Sequence, residues 1–140
     1  MPRAVSPGWI RGYLQLKTTE AADLSGTGAV TLLTSFLLGF GVIIEEFGFI
    51  CDTALAGTAG TQTYKLRRGS ATGDIIATLT VALADGVKGQ TTKTTTMVAA
   101  YKELVDTHTL SLTRESGGTT LTAGAGRFYV KYRQRAQQIG

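Results

Sequence analysis

Ile75-Ile76-Ala77-Thr78-Leu79-Thr80-Val81-Ala82-Leu83 decides the fold class. Ile75, Ala77, Leu79, Val81 and Leu83 recur at every second position, with Ile76, Thr78, Thr80 and Ala82 between them. That is the period of a β-strand with one buried face. The Asp85-Gly86 pair that follows is turn chemistry. Upstream, residues 61–68 alternate in the same way, with Tyr64 and Leu66 on one face and Thr63, Lys65 and Arg67 on the other, and residues 69–73 close the strand with glycines.

The pattern spreads outward from this pair. Residues 30–38 place Val30, Leu32, Thr34, Phe36 and Leu38 on one face and Thr31, Leu33, Ser35 and Leu37 on the other, as expected of a strand covered on both sides. Residues 42–51 are rich in β-branched and aromatic side chains, with Gly48 expected as a bulge or bend. Residues 54–60 are expected to form a loop, and the Thr run at 91–96 an exposed strand or a loop. In residues 97–106, Val98, Tyr101, Leu104 and Val105 stand three and four apart, the one window that suits either a short helix or a strand. His108, Leu110 and Leu112 alternate with Thr109, Ser111 and Thr113. The Ala123-Gly124-Ala125-Gly126 stretch is expected as a hairpin leading into a last strand, in which Phe128, Val130 and Tyr132 oppose a basic face of Arg127, Tyr129, Lys131 and Arg133.

Roughly seven to nine short strands with frequent turns, and no alternation of strand with helix, predict an all-β antiparallel sandwich of jelly-roll type. Thr outnumbers even the 18 Gly, which fits strands joined by tight turns. The 140 residues suit one domain, and no period of internal repeats is visible. Residues 1–27 differ from the rest: they hold both prolines and the single Trp in irregular apolar spacing. They are expected to form an extended arm, with a short strand around residues 13–18 where Leu14 and Leu16 alternate with Gln15 and Lys17, that either reaches a partner or folds back on its own sandwich; 28–135 is the sandwich and 136–140 a polar tail. On that reading a chain lacking residues 1–24 still folds.

Composition narrows the chemistry. A single Cys and a single His, Cys51 and His108, exclude an intramolecular disulfide and a Cys/His zinc site. No apolar run approaches the ~20 residues of a membrane helix. The first residues lack the apolar core of a secretory signal, so synthesis in the cytoplasm is expected. A net charge of +4 is too modest to imply a nucleic-acid partner.

Each motif with possible chemistry has a plainer reading. Residues 56–61 are glycine-rich but lack the Gly-Lys-Ser/Thr and helix of a phosphate loop. Glu45 and Glu46, as neighbours in a strand, should point to opposite faces, which is poor geometry for paired acid and base; one is expected to meet a cation such as Arg67 or Lys131. Cys51 shares the parity of Phe47 and Phe49 and is expected in the core, and His108 partly buried at a sheet end. No catalytic, metal or cofactor-binding residues are therefore assigned, and no enzyme is expected. Trp9, Ile10, Arg11 and Tyr13, with Arg3, are expected to contact a partner from the arm, and Arg67, Arg127, Tyr129, Lys131, Arg133 and Arg135 are the candidate subunit or partner interface.

The order of residues 42–53, the glycine-rich loop and basic strand of 57–69, Leu83-Ala84-Asp85, and the late stretch 119–132 with its Ala-Gly-Ala-Gly resembles small virion proteins of tailed bacteriophages. The likeness spans roughly residues 28–133. It implies a trimeric β-sandwich on the capsid exterior that decorates or cements the shell by binding the major capsid protein. No membrane, nucleic acid, cofactor or small-molecule substrate is implied. A receptor- or carbohydrate-binding module of a head fibre or tail, or a connector component, is the alternative that the basic carboxy-terminal strand keeps open.

Overall fold

A computed structural model describes residues 9–24, 28–57, 61–115 and 121–135. Strands β1 (Trp9–Thr18), β2 (Val30–Leu37), β3 (Val42–Gly57), β4 (Thr61–Arg68), β5 (Asp74–Ala82), β6 (Thr91–Thr94), β7 (Glu103–Leu104), β8 (Thr109–Arg114) and β9 (Leu121–Arg135) are joined by one helical turn, α1 (Ala21–Leu24), and a 3-10 turn at Leu83–Asp85. They form two antiparallel sheets packed as a sandwich. The first sheet runs β1-β9-β3-β6, with β7 also on β3, and the second runs β2-β8-β4-β5. Most connections cross from one sheet to the other, and only β4–β5 and β6–β7 stay within one.

The deciding alternation holds from Ala77 to Val81 and breaks at Ile76, which is buried against its parity because a bulge interrupts the β4–β5 register there. β5 pairs with β4 along its whole length, Tyr64 opposite Leu79 and Gln62 opposite Val81. Ala77, Leu79 and Val81 are buried with Tyr64 and Leu66, and so is Cys51, which lies with Phe47 and Phe49 as its parity requires. Across the sandwich, the Phe128 ring sits 4.6 Å from Tyr64 and 4.9 Å from Phe49, so one aromatic cluster joins the two sheets. Burial of each such ring contributes on the order of 2 to 3 kcal/mol. Gly126 makes room for it: a Cβ there would run into the Phe49 ring.

Several expectations are corrected. Residues 9–24 are not an arm outside the sandwich. β1 is the edge strand of the first sheet, paired from Trp9 opposite Arg135 to Thr18 opposite Arg127, and Leu24 is 1% exposed in the core. The irregular spacing that suggested an arm reflects a bulge between Gln15 and Lys17. Residues 1–8, with Arg3, and the tail 136–140 lie outside the described residues.

β2 is not covered on both sides. It is the edge of the second sheet, only Leu32 is buried, and residues 34–37 are exposed. Alternation cannot distinguish an edge strand with apolar residues on both faces from a central one. β3 runs on to Gly57 where a loop was expected, and β9 takes in residues 123–126 as strand, Gly126 opposite Cys51 and Ala123 opposite Ala56, rather than as a hairpin. Gly48 is in register, opposite Tyr129 and Lys93; the bulge lies at Glu45 instead. The helix-like window 97–106 forms turns and the two-residue β7, with Leu104 buried and Val98 and Val105 exposed. Among the described residues, no helix is long and apolar enough to cross a membrane.

A buried polar network closes one end. Arg114, 2% exposed, stands opposite Tyr64. Its Nε and Nη2 donate to the Gly28 carbonyl at 3.2 and 2.6 Å, and its Nη1 to the Asp23 carbonyl at 3.1 Å. The Tyr64 hydroxyl donates to the same Asp23 carbonyl at 2.9 Å, and Gln62 Nε2 to that of Leu24 at 3.3 Å. Three inward side chains thus supply donors to the carbonyls of Asp23 and Leu24 at the end of α1 and of Gly28 beyond it. Burial raises the Tyr64 hydroxyl well above its ordinary value near 10, against the pull of Arg114, and keeps it a donor.

Candidate functional site

Antiparallel pairing of β1 with β9 merges two groups of residues that the sequence presents 120 positions apart. Arg11 stands opposite Arg133 and Tyr13 opposite Lys131, so the expected arm contacts and the basic face of the last strand share the outer surface of the first sheet. Two like cations opposite each other repel. Glu45 offsets this, with a carboxylate oxygen 3.7 Å from Arg11 and another 4.0 Å from Arg133.

Glu45 reaches that face because of the bulge. In β3, Ile44 pairs with Tyr132 and Glu46 with Lys131, leaving Glu45 as the extra residue. A bulge cancels the alternation for one position, so Glu45 and Glu46 both project outward instead of to opposite faces. Glu46 is 8% exposed. It accepts from the Tyr129 hydroxyl at 2.7 Å and lies 3.6 Å from Lys131 and 3.7 Å from Lys93. Lys131, one of the two cations expected for it, is therefore present; Arg67 is not.

Tyr129 lies flat over Gly48, where any Cβ would strike its ring. Tyr13 stacks on it at 5.1 Å with 24° between the planes, and remains 48% exposed. Burial first, and then the bond to Glu46, raise the Tyr129 hydroxyl above its ordinary value, so it stays protonated as a donor. Nearby, Arg127 grips Asp52 with two bonds of 3.0 and 3.1 Å, which raises the guanidinium further.

The remaining candidates divide. Ile10 is 54% exposed on β1. The backbones of Trp9 and Arg135 pair at the end of the sheet. Arg67 belongs to the other sheet, where its guanidinium bonds Thr113 Oγ1 at 3.1 Å and the Gly73 carbonyl at 2.9 Å. It is not part of this face. His108 is half-buried and accepts the Val105 amide at Nδ1, as a turn cap does. Cys51 donates to the Thr53 carbonyl at 3.2 Å, and burial pushes its thiol up, away from the reactive thiolate.

Sequence reasoning missed Arg114, although it shares the parity of Leu110 and Leu112 and so had to point inward. It also missed the clustering of Glu45, Glu46, Tyr13 and Lys131, for which a single chain holds no signal, because it depends on one bulge and on a pairing between the chain's two ends. Between Arg11, Tyr13, Glu45, Glu46, Thr95 and Lys131 lies an open groove of about 630 Å³. Among the described residues, no three His, Cys, Asp or Glu side chains converge as metal ligands would. A scan against protein-family models finds no match for this chain, and a search of curated proteins finds none either.

Proposed function

We propose that this chain is a non-enzymatic structural protein of a tailed-phage virion, which decorates the capsid exterior as a homotrimer by binding the major capsid protein. The reading starts from the resemblance over residues 28–133. A strand order of β1-β9-β3-β6 against β2-β8-β4-β5, which we read as that of a jelly roll, is consistent with it.

One observation carries the proposal. β1 and β2, the edge strands of the two sheets, contact one another, and between them they expose Ile10 (54%), Phe36 (39%) and Leu37 (55%). Long edges with large apolar side chains are usually blunted by charge or covered by a partner. The opposite edge of the first sheet follows the first rule: β6 is short and carries Lys93 among threonines. On the β1/β2 flank, β1 carries Arg11, Lys17 and a bulge, but β2 has no charged residue, and apolar docking by a shell protein along β2 would cover it.

Light scattering of the purified protein, alone and with empty phage heads, tests this. The expected result is a mass about three times the 14.8 kDa of the chain, and co-sedimentation with heads. The double variant Ile10→Lys, Leu37→Lys should stay folded and remain in the supernatant. A monomer that ignores heads, or a double variant that still sediments with them, would overturn the proposal.

A further inference from the structure

The groove on the outer face of the first sheet has a composition that capsid docking does not explain. Two cations and two carboxylates line it, Arg11 and Lys131 with Glu45 and Glu46, and two further cations, Lys93 and Arg133, stand 3.7 and 4.0 Å from those carboxylates outside the lining. The lining is thus balanced, and the surplus of two positive charges (four minus two) belongs to the rim. Lys93 and Lys131 stand 3.7 and 3.6 Å from Glu46, beyond hydrogen-bond reach, and their side chains are 56% and 55% exposed. Glu46 already holds the Tyr129 hydroxyl. Lys131 thus keeps donors for the groove, and Lys93 for its rim.

Tyr13 supplies a different element. One face of its ring rests on Tyr129, which fixes its orientation, and the other is open. A rigid aromatic face beside fixed carboxylates and a hydroxyl, Thr95, suits a ligand with an apolar ring face and many hydroxyl groups. A surplus of cations suits one that also carries negative charge. An acidic peptide is favoured less, because Glu45 and Glu46 line the groove and would repel successive carboxylates, whereas hydroxyl groups need such acceptors.

We propose that this groove binds an acidic saccharide, its carboxylate held by Lys131 and Arg11, its hydroxyl groups by Glu45 and Thr95, and its ring face by Tyr13. The site goes beyond the capsid-binding reading and does not depend on it: heads can be bound without sugar, and sugar without heads.

The test is a titration of the whole chain with tri-galacturonic acid, followed by amide NMR at low salt, with maltotriose and triglutamate as comparison ligands. Binding in the millimolar range is expected, with shifts centred on Tyr13 and Lys131 and weakened by salt. Lys131→Ala and Tyr13→Ala should each weaken it roughly five-fold or more, about 1 kcal/mol in binding. Lys65→Ala, on the second sheet, should leave it unchanged. Lys131 is exposed, so its variant keeps the test valid if Tyr13→Ala disturbs the stack. No shifts at millimolar tri-galacturonic acid, equal binding of maltotriose, triglutamate bound as tightly, or indifference to Lys131→Ala would each overturn the proposal.

Discussion

The hydroxyl of Tyr129 donates to Oε2 of Glu46 at 2.7 Å, under the stacked ring of Tyr13. It gives a neutral donor to a carboxylate that is 8% exposed, and the two lysines near it stand farther off. Hydrogen bonds to charged acceptors contribute about 1.5 to 3 kcal/mol, and an under-solvated carboxylate is costly. Tyr129→Phe keeps the ring over Gly48 and removes only the oxygen. It should destabilise the fold by about 1 to 2 kcal/mol in urea melts. An effect below about 0.5 kcal/mol would mean that water and the lysines already satisfy Glu46.

Arg114 is the single fully charged side chain turned into the sandwich, among the described residues with 2% exposure or less. Its value lies in tying the chain at Asp23 and Gly28 to the end of β8. Arg114→Met retains much of the volume but leaves two carbonyls short of donors. The expected loss is about 2 to 4 kcal/mol. It should also accelerate hydrogen exchange of the Asp23 amide, which donates to the Glu20 carbonyl at 3.0 Å. Loss of stability with unchanged exchange at Asp23 would show that Arg114 acts through core packing alone.

The sandwich itself was legible because its strands announce themselves by period. Residues 61–68 and 75–82 need no tertiary information to be read as strands, and their inward residues followed from parity except at Ile76, the extra residue of a bulge, which parity sets opposite Ala77 and Leu79 and which is nonetheless buried. The limits of the amino-terminal segment were not legible. β1 alternates only around Leu14 to Lys17, and the rest of it, with a glycine, a bulge and a mixture of charged and apolar residues, is set by its partner β9, more than a hundred residues away. The candidate groove was illegible for a related reason. Parity places Glu45 and Glu46 on opposite faces, and one inserted residue in the ladder, invisible to periodicity, reverses that.

The integration of β1 reverses one expectation about truncation. Removing residues 1–24 strips β9 of its partner on one side, takes Leu24 out of the core, and leaves Tyr64 and Arg114 without the Asp23 carbonyl. Such a chain should lack a cooperative thermal transition, whereas the intact protein should show one. A truncated protein that melts cooperatively within a few degrees of the intact one would restore the view that this segment is dispensable to the fold.

Alkaline pH should weaken the fold through two tyrosines. Burial holds the hydroxyls of Tyr64 and Tyr129 above the value near 10 that they have in the unfolded chain. Between about pH 10 and the higher folded-state values, the unfolded chain releases these protons while the folded one retains them. Their stabilising contribution is therefore complete below about pH 10 and is lost as pH rises toward the folded-state values, at up to about 1.4 kcal/mol per pH unit for each group. Urea midpoints followed from about pH 9 to 11 should fall more steeply in the wild type than in Tyr64→Phe, and least in the Tyr64→Phe, Tyr129→Phe double variant. The comparison of slopes isolates the tyrosines from the lysines, which titrate in all three proteins. Parallel slopes would mean that both hydroxyls ionise in the folded protein as readily as in the unfolded chain, and that the bonds to Asp23 and Glu46 do not hold their protons.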